Sequence, residues 1–330
     1  MNNNNDLVPA GSNMVRSASP LQRFLTSDID EHAGNMPGWK LHYDQLSPGL
    51  FKGELTEFRL GWMQLARDRS NQAMTKSGAA WEGAIAFSVP LSADGPVYCS
   101  GHPIHDPSLL VVHGYNLPKL HTPPHLDLLN VAIDERVLEH ALERQGSPFR
   151  ITDLPKCYRL SDSPVQRQLA ALFDELAECD ADREALLGYD SIRRGIRDAV
   201  MLHMLELIAP DQAPPLTPTA RKRMVDRALD YALSHLDEPL SILDLCNHIG
   251  ASRRKLQYCF QETLGINPVA YLRALRLNAV RRELRASPQS GGVHAVAARW
   301  GFWHLSRFSG DYRHLFGESP SQTLHRTQLC

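Results

Sequence analysis

The sequence predicts an α+β protein in two parts. An N-terminal small β-barrel with helices behind it precedes an all-α domain with two helix-turn-helix motifs joined by a linker helix. Three observations predict this. Short apolar runs broken by Gly, Pro, Asn and Asp recur from Gly53 to about Ile133, as several short strands require. From residue 134 onward the apolar spacing becomes helical. Charge also divides unevenly: residues 220–330 hold 16 Lys/Arg against 9 Asp/Glu, whereas residues 1–219 hold 19 against 28. A basic module joined to an acidic one suits a nucleic-acid binder with a separate regulatory part.

Length and composition agree. A chain of 330 residues suits two domains, and 43% hydrophobic with 22% charged residues is an ordinary globular balance. The sequence has no apolar run of about 18 residues and no secretory signal, so a cytoplasmic protein with no membrane partner is expected. Six scattered cysteines without a C-x-x-C pair suit reduced thiols. Residues 1–13, with an Asn run and Leu7-Val8-Pro9-Ala10-Gly11-Ser12, read as an added linker with an altered thrombin site or as a natural disordered tail. The first reading starts the native chain near Met14.

The elements follow in order. Strands are expected at Glu54–Leu60, Trp62–Arg67, Ala84–Val89, Pro96–Ser100, Ser108–His113 and Leu126–Ile133, forming a small cupin-like barrel. Amphipathic helices are expected at Asp134–Arg144, Pro164–Glu178 and about Arg183–Ile208. Residues 14–208 are expected to be the separate regulatory domain, with effector sensing and dimerisation as its roles. Pro210, Pro214, Pro215 and Pro218 make 209–219 a stiff linker. Residues 220–325 form the DNA-binding domain.

That last region repeats itself at an offset of 52 residues: Phe260 falls on Tyr312, Leu264 on Phe316, Gly265 on Gly317 and Pro268 on Pro320. In the first copy, about 241–264, Ser241 caps a helix whose inner face is Ile242, Leu245, Cys246 and Ile249. Gly250 makes the turn and Ser252 caps a second helix that buries Leu256, Cys259, Phe260, Thr263 and Leu264. Its outer face offers Arg253, Arg254, Gln257, Tyr258 and Gln261. Arg bonds guanine and Gln bonds adenine in bidentate fashion, so this face suits the major groove. In the second copy, about 293–316, Val293, Val296, Ala297 and Trp300 face inward, and Gly301 makes the turn. Leu305, Phe308 and Tyr312 are expected to anchor the second helix, with Ser306, Arg307, Ser309, Gly310 and Arg313 outward. Gly310 either lets the backbone approach DNA or is simply tolerated.

These residues resemble the AraC/XylS family of bacterial transcription regulators. The resemblance rests on Ser241–Cys246, Ser252–Gln257, Phe260 with Leu264-Gly265-Ile266-Asn267-Pro268, Tyr271–Leu277, Trp300-Gly301-Phe302 and Phe316–Ser321. It implies two units on a linker helix at about Pro268–Arg285, with recognition helices in successive major grooves of promoter DNA. It also implies RNA polymerase as a partner. By position, Arg254, Gln257 and Tyr258 read bases in the first unit, and Ser306, Arg307 and Ser309 in the second. Arg253, Lys255, Gln261, His304 and Arg313 take phosphate or supporting roles. Gly310 departs from the family pattern, which often has Arg there. Asn278–Leu284, Trp300–Leu305 and Tyr43–Gly49 with Phe51–Glu57 resemble, more narrowly, the family's ethanolamine-operon regulation. That implies an ethanolamine or other amine or amino-acid-like effector, with adenosylcobalamin as cofactor by resemblance only, since the Asp-x-His-x-x-Gly signature is absent.

Other candidates are weaker. His102, His105, His113, His121 and His125 lack cupin His-x-His spacing, so no metal is expected. Trp62, Trp81, Phe87 and Tyr98 are candidates for an effector pocket, with ordinary core as the alternative. The chain has no phosphate-binding glycine loop, nucleophile elbow or kinase motif, and no enzyme is expected. The sequence therefore reads as a DNA-binding regulator, an effector-dependent activator of a catabolic operon with a homodimer in view. The alternative is a ligand-independent repressor or architectural DNA-binding protein.

Overall fold

The computed structural model describes residues 20–104, 108–159, 164–177, 185–208, 213–235, 241–286 and 292–328. Strands β1 (Leu21–Thr26), β3 (Gly53–Arg59), β4 (Met63–Ser70), β6 (Ala84–Ser92), β9 (Ser108–His113), β11 (Leu126–Asp134) and β12 (Lys156–Arg159) form one antiparallel sheet, ordered β1-β3-β4-β11-β6-β9-β12. Strands β2 (Lys40–Gln45), β5 (Met74–Ala79), β7 (Val97–Cys99), β8 (His102–Ile104) and β10 (Leu117–Thr122) form a second, ordered β2-β5-β10-β7-β8. A short helix α1 (Ile29–Gly34) links β1 to β2.

The side-chain phase of the larger sheet explains this layering. Ile85, Phe87 and Val89 on β6 stand opposite Ile133, Val131 and Leu129 on β11. All six pack with Leu138 of α2 (Glu135–Gln145), Phe173 of α3 (Pro164–Ala177) and Met204 of α4 (Asp190–Ile208). The alternate residues Ala86, Leu110, Val112 and Leu128 join Val97, Cys99 and Ile104 on the opposite face. Both faces of this sheet are apolar, so each needs a covering layer. Helices cover one and the smaller sheet covers the other. The expected barrel is therefore corrected to two sheets that do not close: β1 and β12 end the larger, β2 and β8 the smaller.

Helices α5 (Ala220–Ser234), α6 (Ile242–Ile249), α7 (Arg253–Leu264), α8 (Pro268–Ala286), α9 (Gly292–Arg299), α10 (Leu305–Phe316) and α11 (Pro320–Gln328) follow. They form two cores. Tyr271 and Leu275 of α8 complete the core of α5, α6 and α7, while Leu277, Val280 and Leu284 of α8 complete that of α9 and α10. One helix thus serves both. The described part of the Pro-rich stretch, residues 213–219, is tied down: Pro215 bridges to Lys156, and the Leu216 amide donates to the Pro155 carbonyl at 2.6 Å.

Helix α8 also docks on the sheet domain. Arg281, buried, places Nη2 2.5 Å from Asp28 Oδ2 and Nη1 3.3 Å from Asp30 Oδ2. Arg282 reaches Asp44 Oδ1 at 2.9 Å, and Arg285 pairs with Asp28. Gly49 donates to the carbonyls of His314 and Leu315, at 3.2 and 3.0 Å, where α10 ends. No described helix is long and apolar enough to cross a membrane.

Candidate nucleic-acid interface

Each of the two helix pairs is built by local rules. Ser241 opens α6 with a capping box: its Oγ accepts from the Asp244 amide at 3.2 Å, and its own amide donates to Asp244 Oδ2 at 2.8 Å. Gly250, at φ 66, takes the left-handed conformation that ends α6. Ser252 then caps α7, accepting from the Lys255 amide at 3.2 Å. Leu256, Cys259, Phe260, Thr263 and Leu264 are buried along α7, the set that helical spacing assigns to the core. Arg253, Arg254, Lys255, Gln257, Tyr258 and Gln261 are all exposed on the other face. The Arg221 guanidinium lies 5.2 Å from the centre of the Tyr258 ring and limits that ring's freedom.

The second pair is built differently at its start. His304 precedes α10 and makes no side-chain capping bond. Leu305, expected as an anchor, is 37% exposed, because the anchoring falls to Phe308, Tyr312, Leu315 and Phe316. Ser306, Arg307, Gly310 and Arg313 are exposed and Ser309 is half-buried. A Cβ at Gly310 would meet nothing within 4 Å, so no protein contact requires glycine there. Trp300 donates its indole N–H to Glu283 Oε2 at 2.6 Å, which fixes the turn to α8.

The 52-residue offset holds in three dimensions. Phe260 and Tyr312 are buried, as are Leu264 and Phe316. Gly265 and Gly317 end their helices at φ 68 and 70, and Pro268 and Pro320 each open the next helix. The chain here uses one design twice.

The sequence reading missed the docking residues. Arg281, Arg282 and Arg285 count toward the basic excess of this region, yet they are spent on Asp28, Asp30 and Asp44. Burial raises the Asp28 carboxyl, but Arg281, the Glu31 amide and Arg285 outweigh it and hold its pKa below the ordinary 3.8. For Asp30 burial wins over the same arginines, and its pKa is raised. The signal was available as Asp28-x-Asp30 against three arginines on one helix, but nothing in either segment alone points to the other.

A cavity of about 50 Å³ lies between the sheets, with Met36, Trp39 and Leu117 among its apolar walls and Tyr43, Asp68 and Lys76 among its polar ones. Asp68 is buried and accepts from Lys76 Nζ at 2.6 Å and Tyr43 Oη at 3.3 Å, with His32 Nε2 at 3.0 Å. Burial opposes its charge, but Lys76 and His32 hold its pKa far below the carboxylate range. Trp62, Trp81, Phe87 and Tyr98 are not brought together here. Phe87 points to the helix face of its sheet, Trp62 packs under Arg197, Trp81 lies against Ala80 and Ala84, and Tyr98 faces Gly265. Of the histidines, His105 lies outside the described residues. His102 reaches the Thr217 carbonyl at 2.9 Å, His113 stacks on Tyr115, and His121 is buried. Among the described residues no three His, Cys, Asp or Glu side chains gather as a metal would need. Adenosylcobalamin does not suit the cavity, since a corrin ring is far larger than 50 Å³.

Comparison with known proteins agrees with the helical geometry. Residues 245–326 match the family model described as a helix-turn-helix domain. The chain is 34% identical over 204 residues to the "Probable thc operon regulatory protein" of Rhodococcus erythropolis, covering 60% of each. It is 31% identical over 106 residues to the XylDLEGF operon transcriptional activator 3 of Pseudomonas putida, covering 32% of each. It therefore spans about 60% of the first relative and about a third of the second. A solved AraC family transcriptional regulator from Rhodopseudomonas palustris, itself described as probable, is 32% identical, with 32% of this chain and 97% of that one covered at a TM-score of 0.30. With its paired helices and the family match over 245–326, the chain carries a helix-turn-helix domain, and it is similar in part to these operon regulators.

Proposed function

We propose that the protein is an effector-dependent activator of a catabolic operon, which binds double-stranded promoter DNA through α7 and α10. The observation that carries this reading is the pair of polar helix faces, both exposed, on units that share helix α8. Arg254, Gln257 and Tyr258 on α7 would read base edges, with Ser306, Arg307 and Ser309 on α10. Arg253, Lys255, Gln261, His304 and Arg313 would contact phosphates or support the readers. RNA polymerase and a second copy of the chain belong to the same reading.

The effector would enter the cavity between the sheets. Asp68 offers a buried negative charge that Lys76 now satisfies, and Ser88 and Asn130 add hydrogen-bonding groups nearby. A small amine or amino-acid-like compound, ethanolamine among them, could exchange with the Lys76 ammonium there. The cavity walls meet the docking surface: His32 of α1 contacts Asp68, and Asp28, which caps that helix, holds Arg281 together with Asp30 in its first turn. A ligand that shifts α1 would therefore loosen α8.

A thermal-shift screen of the full chain with amines, amino alcohols and amino acids tests this. A ligand at one hundred times its Kd stabilises the chain by about 2.7 kcal/mol. No shift across the panel would remove the effector from the reading. Selection of duplexes from a random pool tests the DNA part.

A further inference from the structure

A groove of about 290 Å³ runs along the seam between the two helix pairs. Its walls come from the start of α6 at Ile242, from α8 at Val269, Arg273 and Arg276, and from the turn and first half of α10, Gly301 to Phe308. Trp303, 63% exposed, and Val269 form apolar edges, and no carboxylate is among the lining residues. Arg273 pairs with Asp311. Arg276, half-buried, and Arg307, exposed, make no ion pair or hydrogen bond among the described residues. Burial pulls the pKa of Arg273 and Arg276 below the usual arginine value, and Arg307 adds to this at Arg273. Three like charges thus converge with one counter-ion between them.

We propose that this groove grips the sugar-phosphate backbone of duplex DNA where it crosses between the two reading helices, with Arg276 on the phosphates and Arg307 reaching a phosphate beside the base edge it reads. The proposal rests on the DNA-reading function above and extends it to the helix that joins the readers. A duplex that touches both α7 and α10 must carry its backbone past the seam, and Arg307 belongs to groove and reading face alike. Duplex DNA presents one negative charge per about 1.7 Å of axis, so it supplies the anions that this seam lacks. Guanidinium matches a phosphate in bidentate geometry, and the exposed Trp303 and Val269 can pack on deoxyribose. A protein partner would have to bring its own acidic groups to the same place.

The test uses the full chain and two probes, a random-sequence duplex and the duplex selected from a random pool. Kd is measured as a function of salt for the parent, Arg276→Gln, Arg276→Lys and Arg307→Gln. The expected result for each Gln variant is about a tenfold loss of affinity on both duplexes. The slope of log K against log salt should fall by about 0.9 for each phosphate released. Base preference should stay as in the parent at Arg276, and Arg276→Lys should keep most of the slope. Unchanged affinity and slope in both Gln variants would overturn the proposal. So would loss of transcription alone, which marks a protein contact, or an altered base preference in Arg276→Gln, which marks a base reader. If the parent binds neither duplex, the DNA-reading function itself fails, a result distinct from failure of the groove. Should Arg276→Gln not fold, the salt slope of the exposed Arg307→Gln on the random-sequence duplex, where base reading does not enter, carries the test.

Discussion

Asn278 of α8 pairs with the backbone of Gln45 as a neighbouring strand would. Its Oδ1 accepts from the Gln45 amide at 2.9 Å, and its Nδ2 donates to the Gln45 carbonyl at 2.9 Å. The Gln45 side chain in turn donates to the carbonyls of Ser47, Gly49 and Leu315. Both residues are buried, so the two domains share a hydrogen-bonded junction inside the protein. Removing the Asn278 amide leaves a buried donor and acceptor unpaired, at about 1–3 kcal/mol each. Asn278→Leu should therefore loosen docking before it unfolds either domain. Hydrogen exchange at the Gln45 amide checks this, and exchange as slow as in the parent would show that the pair holds nothing.

The Arg281 pairs predict an asymmetry. Arg281→Ala leaves Asp28 buried without its main partner and should destabilise the protein by about 3–5 kcal/mol. Asp28→Asn keeps a hydrogen-bonding group of the same shape and should cost less. Chemical denaturation of both variants decides the matter.

Stability should fall with pH, from two sources. Burial and the neighbouring Lys222 and Lys119 push the pKa of His121 down to about 3, so the folded protein keeps it neutral where the unfolded chain protonates near 6.5. Between those values the unfolded state binds the extra proton, and stability drops by about 1.4 kcal/mol per pH unit. Below 3.8 the lowered carboxyls of Asp28 and Asp44 add a further loss as pH falls through their folded values. The raised Asp30 acts above 3.8, where the folded protein binds its proton first and offsets part of the His121 loss. Both ring nitrogens of His121 lack a hydrogen-bond partner, so His121→Phe should flatten the profile between pH 6 and 4. Thermal unfolding across that range checks it.

The two reading helices should differ. Arg254→Ala or Gln257→Ala should weaken the selected duplex by about 1–3 kcal/mol and relax preference at one or two base pairs. Arg307→Ala, beside short side chains and Gly310, should weaken binding more evenly across sequences. Binding to duplexes changed one base pair at a time separates the two, and a greater loss of preference in Arg307→Ala would reverse the assignment.

Gly310→Ala should stabilise α10 by about 1 kcal/mol, since the added methyl meets open space. If duplex affinity falls in the same variant, DNA approaches the backbone at that point. If it is unchanged, the glycine is merely tolerated.

The helical half was legible because its signals are local. Ser241, Gly250 and Ser252 mark helix ends by their own chemistry, and Gly265 and Gly317 repeat in register. The sheet half was legible only where apolar residues cluster in short runs, which mark six of the twelve described strands, most plainly Ala84–Ser92 and Leu126–Asp134. Strand β5, Met74-Thr75-Lys76-Ser77-Gly78-Ala79, carries no such run. It is a strand because Lys76 finds Asp68 and Met74 finds the core of α1 and β2, contacts that no window of sequence contains. The smaller sheet apart from β7 and the docking surface share this property, and the barrel reading failed because half its strands were invisible.

The tethering of Arg281, Arg282 and Arg285 by sheet-domain acids bears on kinetics as well as structure. While α8 is docked, these cations are cancelled at close range and add little to the long-range field that draws a polyanion in. Undocking would unmask three of them at once. Electrostatic steering raises encounter rates steeply with unscreened charge and fades as ionic strength rises. The docked and undocked forms should therefore diverge most in association rate, and most in dilute salt, even where their equilibrium grip on a bound duplex is alike.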